Sequence, residues 1–451
     1  MATLNLPAYE RFKDKHILLA AMANPSVYKA KGMSRVLAGV DSDGVRHDEP
    51  CYATDVDELD EGVWITIPDD ERGGVEHVRL RASQIVVSVD YLAQQSLNPC
   101  AESTRAHRFC RVGCTYDSTH PAAGRPFSFL RKPSPQPTAA KAARTATPFV
   151  QKAWMEIKEV LDRARAAGST ERKKIMKAAG LTKLHCALEY IKHCDPTTST
   201  PVDVLHLFPD GLLRSEGAWL FYIFLKMGLD IHVVNAAIRD YRNWPPDTRI
   251  PPLQESLKEG VTGGKPKSSK TLRMTGSQCM HFALHRFVTD EHTRSTHTYI
   301  SHCRGVACRS PFLLKPLLTA EMTAHPAWRS WLCLVKLFGI TVQHSITVAD
   351  IELVDDLQLQ HSAAFDAVYE YAGLKRPKHH FCAHLARDMW LYGPPRGYWC
   401  FGYEAFNKQI KAGAMRSNWR DTTYSIMEYW SMRSARAMIR EKHAPESVQI
   451  V

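Results

Sequence analysis

Over the first 117 residues, short apolar runs alternate with turn residues, whereas beyond residue 150 apolar positions recur at helical spacing. Val63-Trp64-Ile65-Thr66-Ile67 and Ile85-Val86-Val87-Ser88-Val89 read as strands, rich in β-branched and aromatic residues. Between them Asp69-Asp70-Glu71-Arg72-Gly73-Gly74 and the run 75–80 predict a hairpin or meander. Residues 154–179 have helix-forming composition, with Ile157, Val160 and Leu161 on one face, and a second helix is expected near 184–191. Helical patterns then dominate: 212–229, 328–338, 350–371, 381–392, 399–411 and 417–443. The pattern is a strand-rich first part followed by a helical second part.

Residues 118–155 contain no Asp or Glu and carry a Pro/Ala-rich stretch, 133–148, without an apolar period. This reads as a basic linker or exposed insertion, either a solvated connector or an arm that touches DNA. Residues 260–276, with Lys265, Lys267, Lys270 and Arg273, read as a flexible basic loop. The resulting organisation is 1–117, strand-rich with a cysteine-pair loop; 118–150, linker; 151–376, mostly helical; and 377–451, a helical C-terminal part.

Composition narrows the function classes. A chain of 451 residues that is 44% hydrophobic and 23% charged has the profile of a globular protein able to bury a sizeable core. The longest apolar runs, 219–225 and 331–340, are short or carry a lysine (Lys226, Lys336), so no membrane span is expected. Residues 16–23 make a poor secretory signal, and twelve irregularly spaced cysteines then indicate reduced thiols and a metal site rather than a disulfide scaffold. The expected location is nuclear or cytoplasmic. Fifty-eight Lys and Arg against 47 Asp and Glu leave a net charge of +11, which favours a polyanionic partner.

Four constellations carry candidate chemistry. Asp90 ends the strand 85–89, where open α/β sheets place their ligands, although a strand-terminal Asp is also a common turn former. Asp203-Val204-Leu205-His206 follows Thr200 and Pro201, which are expected as N-cap and first helical residue, so that Asp203 and His206 share a face. Lys378-His379-His380-Phe381-Cys382-Ala383-His384 places His380 and His384 four apart, a spacing that can present two imidazoles to one metal. It leads through the helix-breaking Gly393-Pro394-Pro395 to Tyr403-Glu404, with Glu404 on a fresh helix beside Lys408 and Lys411. Finally Cys110 and Cys114, with Cys100 and His107 nearby, suit a structural zinc, the bland alternative being buried thiols. No phosphate-binding glycine loop, nucleophile elbow or dinucleotide fingerprint is present.

Taken in order, a strand ending in Asp90, the cysteine pair, Asp203-Val204-Leu205-His206 leading into Asp210-Gly211, Lys378-His379-His380-Phe381, Gly393-Pro394 and Tyr403-Glu404 resemble transposase-derived proteins of the CACTA and Plavaka type over residues 85 to about 430. The resemblance implies an α/β fold, a ribonuclease-H-like mixed sheet with a large, mostly helical insertion and a helical C-terminal part. It implies DDE-type DNA cleavage and transfer with magnesium or manganese, in which convergent carboxylates hold two ions that clamp the attacking and leaving oxygens. Asp90 then looks like the second acid and Glu404 the third, with Glu216 as fallback. Asp203 and His206 match the D-x-x-H signature, expected to position DNA or support the metal site. The family's first acid lies well upstream of Asp90; here Asp41 is the best substitute, followed by Asp43.

The reading is a transposase-derived DNA-binding protein with DNA strand cleavage and transfer as ancestral chemistry. Arg131, Lys132, Lys265, Lys267, Lys270, Arg273, Lys408 and Lys411 are the expected contacts to nucleic acid, and a homo-oligomer is in keeping with the class. Two alternatives stand beside it: a catalytically silent nucleic-acid-binding or interaction protein, and a zinc hydrolase centred on His379, His380 and His384.

Overall fold

The structure, a computed structural model, describes residues 154–283 and 309–404 with short interruptions, residues 422–442, and before residue 154 the strands 63–69 and 74–80 with isolated positions and short strands around them. Two compact units result, one from Met1–Thr115, Gln151–Pro201 and Cys400–Val451, the other from Tyr116–Val150 and Val202–Trp399.

In the first unit, β1 (Val63–Asp69) pairs antiparallel with β2 (Gly74–Leu80), in register from Val63↔Leu80 to Asp69↔Gly74. The hairpin expected from the turn run at 69–74 is therefore present. The helical stretch at 154–179 is two helices, α1 (Trp154–Ala166) and α2 (Ser169–Ala179), because Gly168 is extended and has no side chain to continue the turn. Ile157, Leu161 and Ala164 of α1 bury against Met176 of α2 and Leu181. Arg172 folds back from α2 and donates to the carbonyls of Ala164 (3.1 Å) and Ala167 (3.3 Å), satisfying groups that the end of α1 leaves unpaired. Gly180, at φ +66°, ends α2 in the left-handed conformation that glycine adopts at least cost. Where a helix is expected at 184–191 there is one 3-10 turn, Ala187–Tyr190. The C-terminal helix, Thr422–Lys442, buries Ile426 and Trp430.

The second unit is built around helices. α3 (Val204–Leu207) runs through a wide π-helical turn, Phe208–Leu212, into α4 (Leu213–Lys226). There follow α5 (Ile231–Asp240), α6 (Gly276–Ala283), α7 (Arg309–Leu314), α8 (Ala320–Ala324), α9 (Pro326–Thr341), α10 (Val348–Tyr369), α11 (Pro377–Phe381) and α12 (Leu385–Tyr392). α4 is apolar nearly all round, as a core helix must be, and packs on α9, which packs along α10. Trp219 of α4 meets Phe365 and Tyr369 of α10 at ring distances of 6.1 and 5.7 Å. Each fully buried side chain of this kind contributes about 1.5–3 kcal/mol. His325 caps α9 with Pro326 at its first position, and Thr347 and Asp350 cap α10 reciprocally.

The expected ribonuclease-H-like mixed sheet is contradicted. Among the described residues strands occur only as three two-stranded ribbons, and the architecture is predominantly helical. The physical reason is that the helices of the second unit bury their apolar faces against one another, leaving no long apolar face for a sheet to cover. Of the run 85–89, only Val87 is described; it lies outside any strand and its N–H donates to Ser199 O at 2.7 Å. Part of the basic segment 260–276 is ordered into the helical unit. A ribbon of Gly260–Val261 with Lys265–Pro266 leads to a strap in which Leu272 and Met274 are buried and Leu272 N donates to Arg214 O at 2.9 Å. Among the described residues no helix is long and apolar enough to cross a membrane.

Candidate functional site

The D-x-x-H segment is organised by Asp203. Thr200, expected as the N-cap, is buried and donates to Pro196 O, and the cap is Asp203 instead. Its carboxylate accepts from Leu205 N (3.3 Å) and His206 N (3.0 Å), and Asp203 Oδ2 lies 2.5 Å from His206 Nδ1. The short carboxylate thus caps a helix and fixes an imidazole at once. Asp203 is nearly enclosed, whereas the His206 side chain is 27% exposed. Ahead of the cap, buried Asp388 of α12 accepts from Val202 N at 2.7 Å.

Six residues beyond the cap, Pro209 has no N–H to give to Leu205 O, and the chain widens: Leu213 N donates to Phe208 O, one residue further back than in an α-helix. The carbonyls that this leaves exposed are taken up by side chains. Lys378 Nζ donates to His206 O (2.5 Å) and Asp210 O (3.2 Å), and Ser215 Oγ donates to Gly211 O (3.1 Å). Gly211 makes room for this: a Cβ there would stand 2.6 Å from His206 O and 2.8 Å from Lys378 Cδ. Burial pushes the Lys378 ammonium down to about 8, opposed by Asp210 and Asp203 and helped by Arg376 and Arg214. On the outer side Asp210 Oδ1 pairs with Arg214 Nη1 at 3.2 Å, both partly exposed. The motif segments 203–214 and 376–380 are therefore one structural unit.

Glu216, the fallback acid, is fully buried in the same unit. His361 Nε2 of α10 lies 3.0 Å from both of its oxygens, His379 Nε2 lies 3.3 Å from Oε1, and Ser330 Oγ of α9 donates to Oε2 at 3.2 Å. Burial pushes the Glu216 carboxyl up, but the charges and hydrogen bonds of His361 and His379 outweigh it and hold the group at about 2. Arg376 stands close by, bonded to Ser215 Oγ (2.9 Å) with its guanidinium 5.1 Å from the Trp219 ring. This carboxylate is occupied by imidazoles at 1% exposure, so its surroundings are unlike the open, water-sharing coordination that magnesium takes.

The three histidines of the second motif divide between two tasks. His379 Nδ1 accepts from Arg376 N at 2.9 Å and its other edge faces Glu216. His380 and His384 face each other instead, Nε2 to Nε2 at 3.1 Å, both buried. Asp203 with His206, and His380 with His384, each bring ligand atoms close enough to share one metal ion. The 3.1 Å separation fits two nitrogens each about 2.0–2.1 Å from one zinc.

The remaining expected residues are dispersed or outside the described residues. Asp41, Asp43, Asp90, Cys100, His107, Arg131, Lys132, Lys267, Lys408 and Lys411 lie outside them. Glu404 is exposed on the helical turn 401–404, its N–H bonded to Cys400 O at 2.8 Å. Cys110 is buried, Cys114 begins a short strand, and Lys265 lies in the two-stranded ribbon. Lys270 pairs with Glu259 at 3.1 Å, and Arg273 is exposed. Sequence reasoning assigned no part to Arg376, His361 or Lys378. The one local signal for Lys378 was Gly211 directly after Asp210, which admits a close approach to backbone. Compared with known families and curated proteins, the chain matches no family model and no curated protein.

Proposed function

We propose that the chain is a transposase-derived DNA-binding protein of the CACTA and Plavaka kind. The observation that carries the reading is the joining of its two most distinctive motif segments. Lys378, of the His-rich segment, bonds the carbonyls of His206 and Asp210 from 172 and 168 positions away. Their meeting supports the reading because motifs that act together must lie together. The Asp203 carboxylate fixes the His206 ring, whose partly exposed edge is a suitable partner for a phosphate oxygen, and the net charge of +11 favours the same polyanion. The reading does not include the ribonuclease-H-like sheet.

The test is binding of the full chain to duplex DNA across a salt series, together with nicking in magnesium or manganese. A protein making 6–10 phosphate contacts loses about 10³–10⁵ in affinity between roughly 50 and 200 mM salt. Binding of that kind supports the reading, and its absence overturns it. Nicking that Asp90→Asn and Glu404→Gln abolish identifies a retained enzyme; binding without nicking identifies a catalytically silent descendant.

The reading also includes a structural zinc. Cys100, His107, Cys110 and Cys114 are its expected ligands, and His380 with His384 is a second donor pair. Metal analysis of the purified chain, of Cys114→Ser and of His384→Ala separates them: the variant that loses zinc identifies the donors, and a chain without zinc overturns the proposal.

A further inference from the structure

The hairpin of α1 and α2 exposes acids mainly on α1 and lysines mainly on α2. α1 turns Glu156, Glu159, Asp162 and Arg163 to solvent. α2 turns out Ser169 and Glu171 in its first turn and Thr170, Lys173, Lys174, Lys177 and Ala178 as a continuous stripe at helical spacing, while Met176 is buried on the opposite side. The cations that shape the hairpin are already engaged: Lys158 and Arg165 hold Asp162, Arg165 also holds Glu189, and Arg172 caps α1. The stripe is different. Lys173 and Lys177 have no acidic partner among the described residues, and Lys174 has only a 3.6 Å contact with exposed Glu171.

Resting on the DNA-binding reading above, the geometry points to this stripe of α2 as a contact to the phosphate backbone of duplex DNA. Lys173 and Lys177, four residues apart, are separated by about 6 Å along the helix axis and project from a helix pinned by the apolar core beneath it. Thr170 and Ala178, at the two ends of the stripe, are small and leave the ammonium groups open to a broad anionic surface. An anionic membrane is the weaker fit, because surface-seeking helices bring large apolar or aromatic side chains to the lipid and the stripe has none. A second copy of the chain is also a weaker fit, because Asp162 on the acidic face of α1 is already neutralised by two cations.

The experiment compares the full chain, a stripe variant (Lys173→Gln, Lys174→Gln, Lys177→Gln) and a control removing the same charge outside the hairpin (Lys226→Gln, Arg239→Gln, Lys336→Gln). Thermal melts establish that all three fold; if the stripe variant does not, single Lys173→Gln and Lys177→Gln chains replace it. For the stripe variant we expect duplex affinity to fall about tenfold or more near 100 mM salt, and the slope of log affinity against log salt to shrink by about 0.9 for every phosphate no longer neutralised. The control should change much less. If stripe and control variants behave alike on DNA, the inference fails and the DNA-binding reading stands; if the unmodified chain does not bind DNA, both fail. Loss of binding to phosphatidylserine vesicles, or of self-association in sedimentation, with DNA affinity unchanged, overturns the inference in favour of a membrane or a second copy.

Discussion

Glu216 is a carboxylate kept ionised where no water reaches it, and the two imidazoles that keep it so make it a point of vulnerability. Removing one partner of a buried pair leaves the other uncompensated, so Glu216→Ala should cost about 3–5 kcal/mol in a denaturant titration. Its folded value of about 2 lies below its ordinary 4.5, so the folded state binds the proton less readily than the unfolded chain. The carboxylate's contribution to stability is therefore complete above pH 4.5 and is lost as the pH falls toward 2. Melts over that interval should show Glu216→Gln losing less stability on acidification than the unmodified protein. His361, His379 and Arg376 are the basic groups around this site, with Cys333 and Cys382 beside them. Asp203 is a second such point on a smaller scale. Asp203→Ala removes the cap of α3 and the support of His206, and should cost about 1–2 kcal/mol. Asp203→Asn, which can still cap, should recover much of the stability, and imidazole NMR should report the altered His206 environment in both variants.

At the scale of elements, the wide turn of Phe208–Leu212 is the least ordinary feature, and it depends on a residue from another helix. Gly211→Ala should displace His206 O and Lys378 together and lower stability by about 1–3 kcal/mol. Because those atoms touch, Gly211→Ala and Lys378→Met should be non-additive in a double-mutant cycle, whereas additive losses would show that the lysine does not stabilise the turn. The elements also show what the sequence could disclose. Long periodic helices such as α9 and α10 and the turn of the β1–β2 hairpin were legible, because each records burial on a fixed period. Which of Thr200 and Asp203 caps α3 was not, since both are capable caps and the choice follows from burial of Thr200. The widened turn was hidden too: Pro209-Asp210-Gly211 has the composition of a reverse turn, and only a lysine 168 positions from Asp210 lets it stay helical. The pairing of Glu216 with His361 and His379 was equally hidden, because nothing local to an acid in an apolar helix announces its distant partners. The mixed sheet came from family likeness rather than from periodicity, and periodicity in turn misread 184–191, where a single 3-10 turn stands.

For the molecule as a whole, the order of the chain matters as much as its charge. Residues 202–399 make up most of one unit, while the other draws on Gln151–Pro201 and on Cys400–Val451. During synthesis the helical unit has all of its described residues once position 399 has emerged, whereas the other unit must wait for Cys400–Val451 to be complete. At about 5–20 residues per second that wait is a matter of seconds, long enough for a partly built apolar surface to meet a chaperone or a neighbouring chain. Pulse-labelled hydrogen exchange during refolding should find amides of α4, α9 and α10 protected before those of the C-terminal helix; simultaneous protection would mean that the two units fold as one. A stop codon directly after position 400 would remove the last 51 residues, the buried Ile426 and Trp430 among them, and should leave every described residue of the helical unit in place while depriving the other unit of its C-terminal helix.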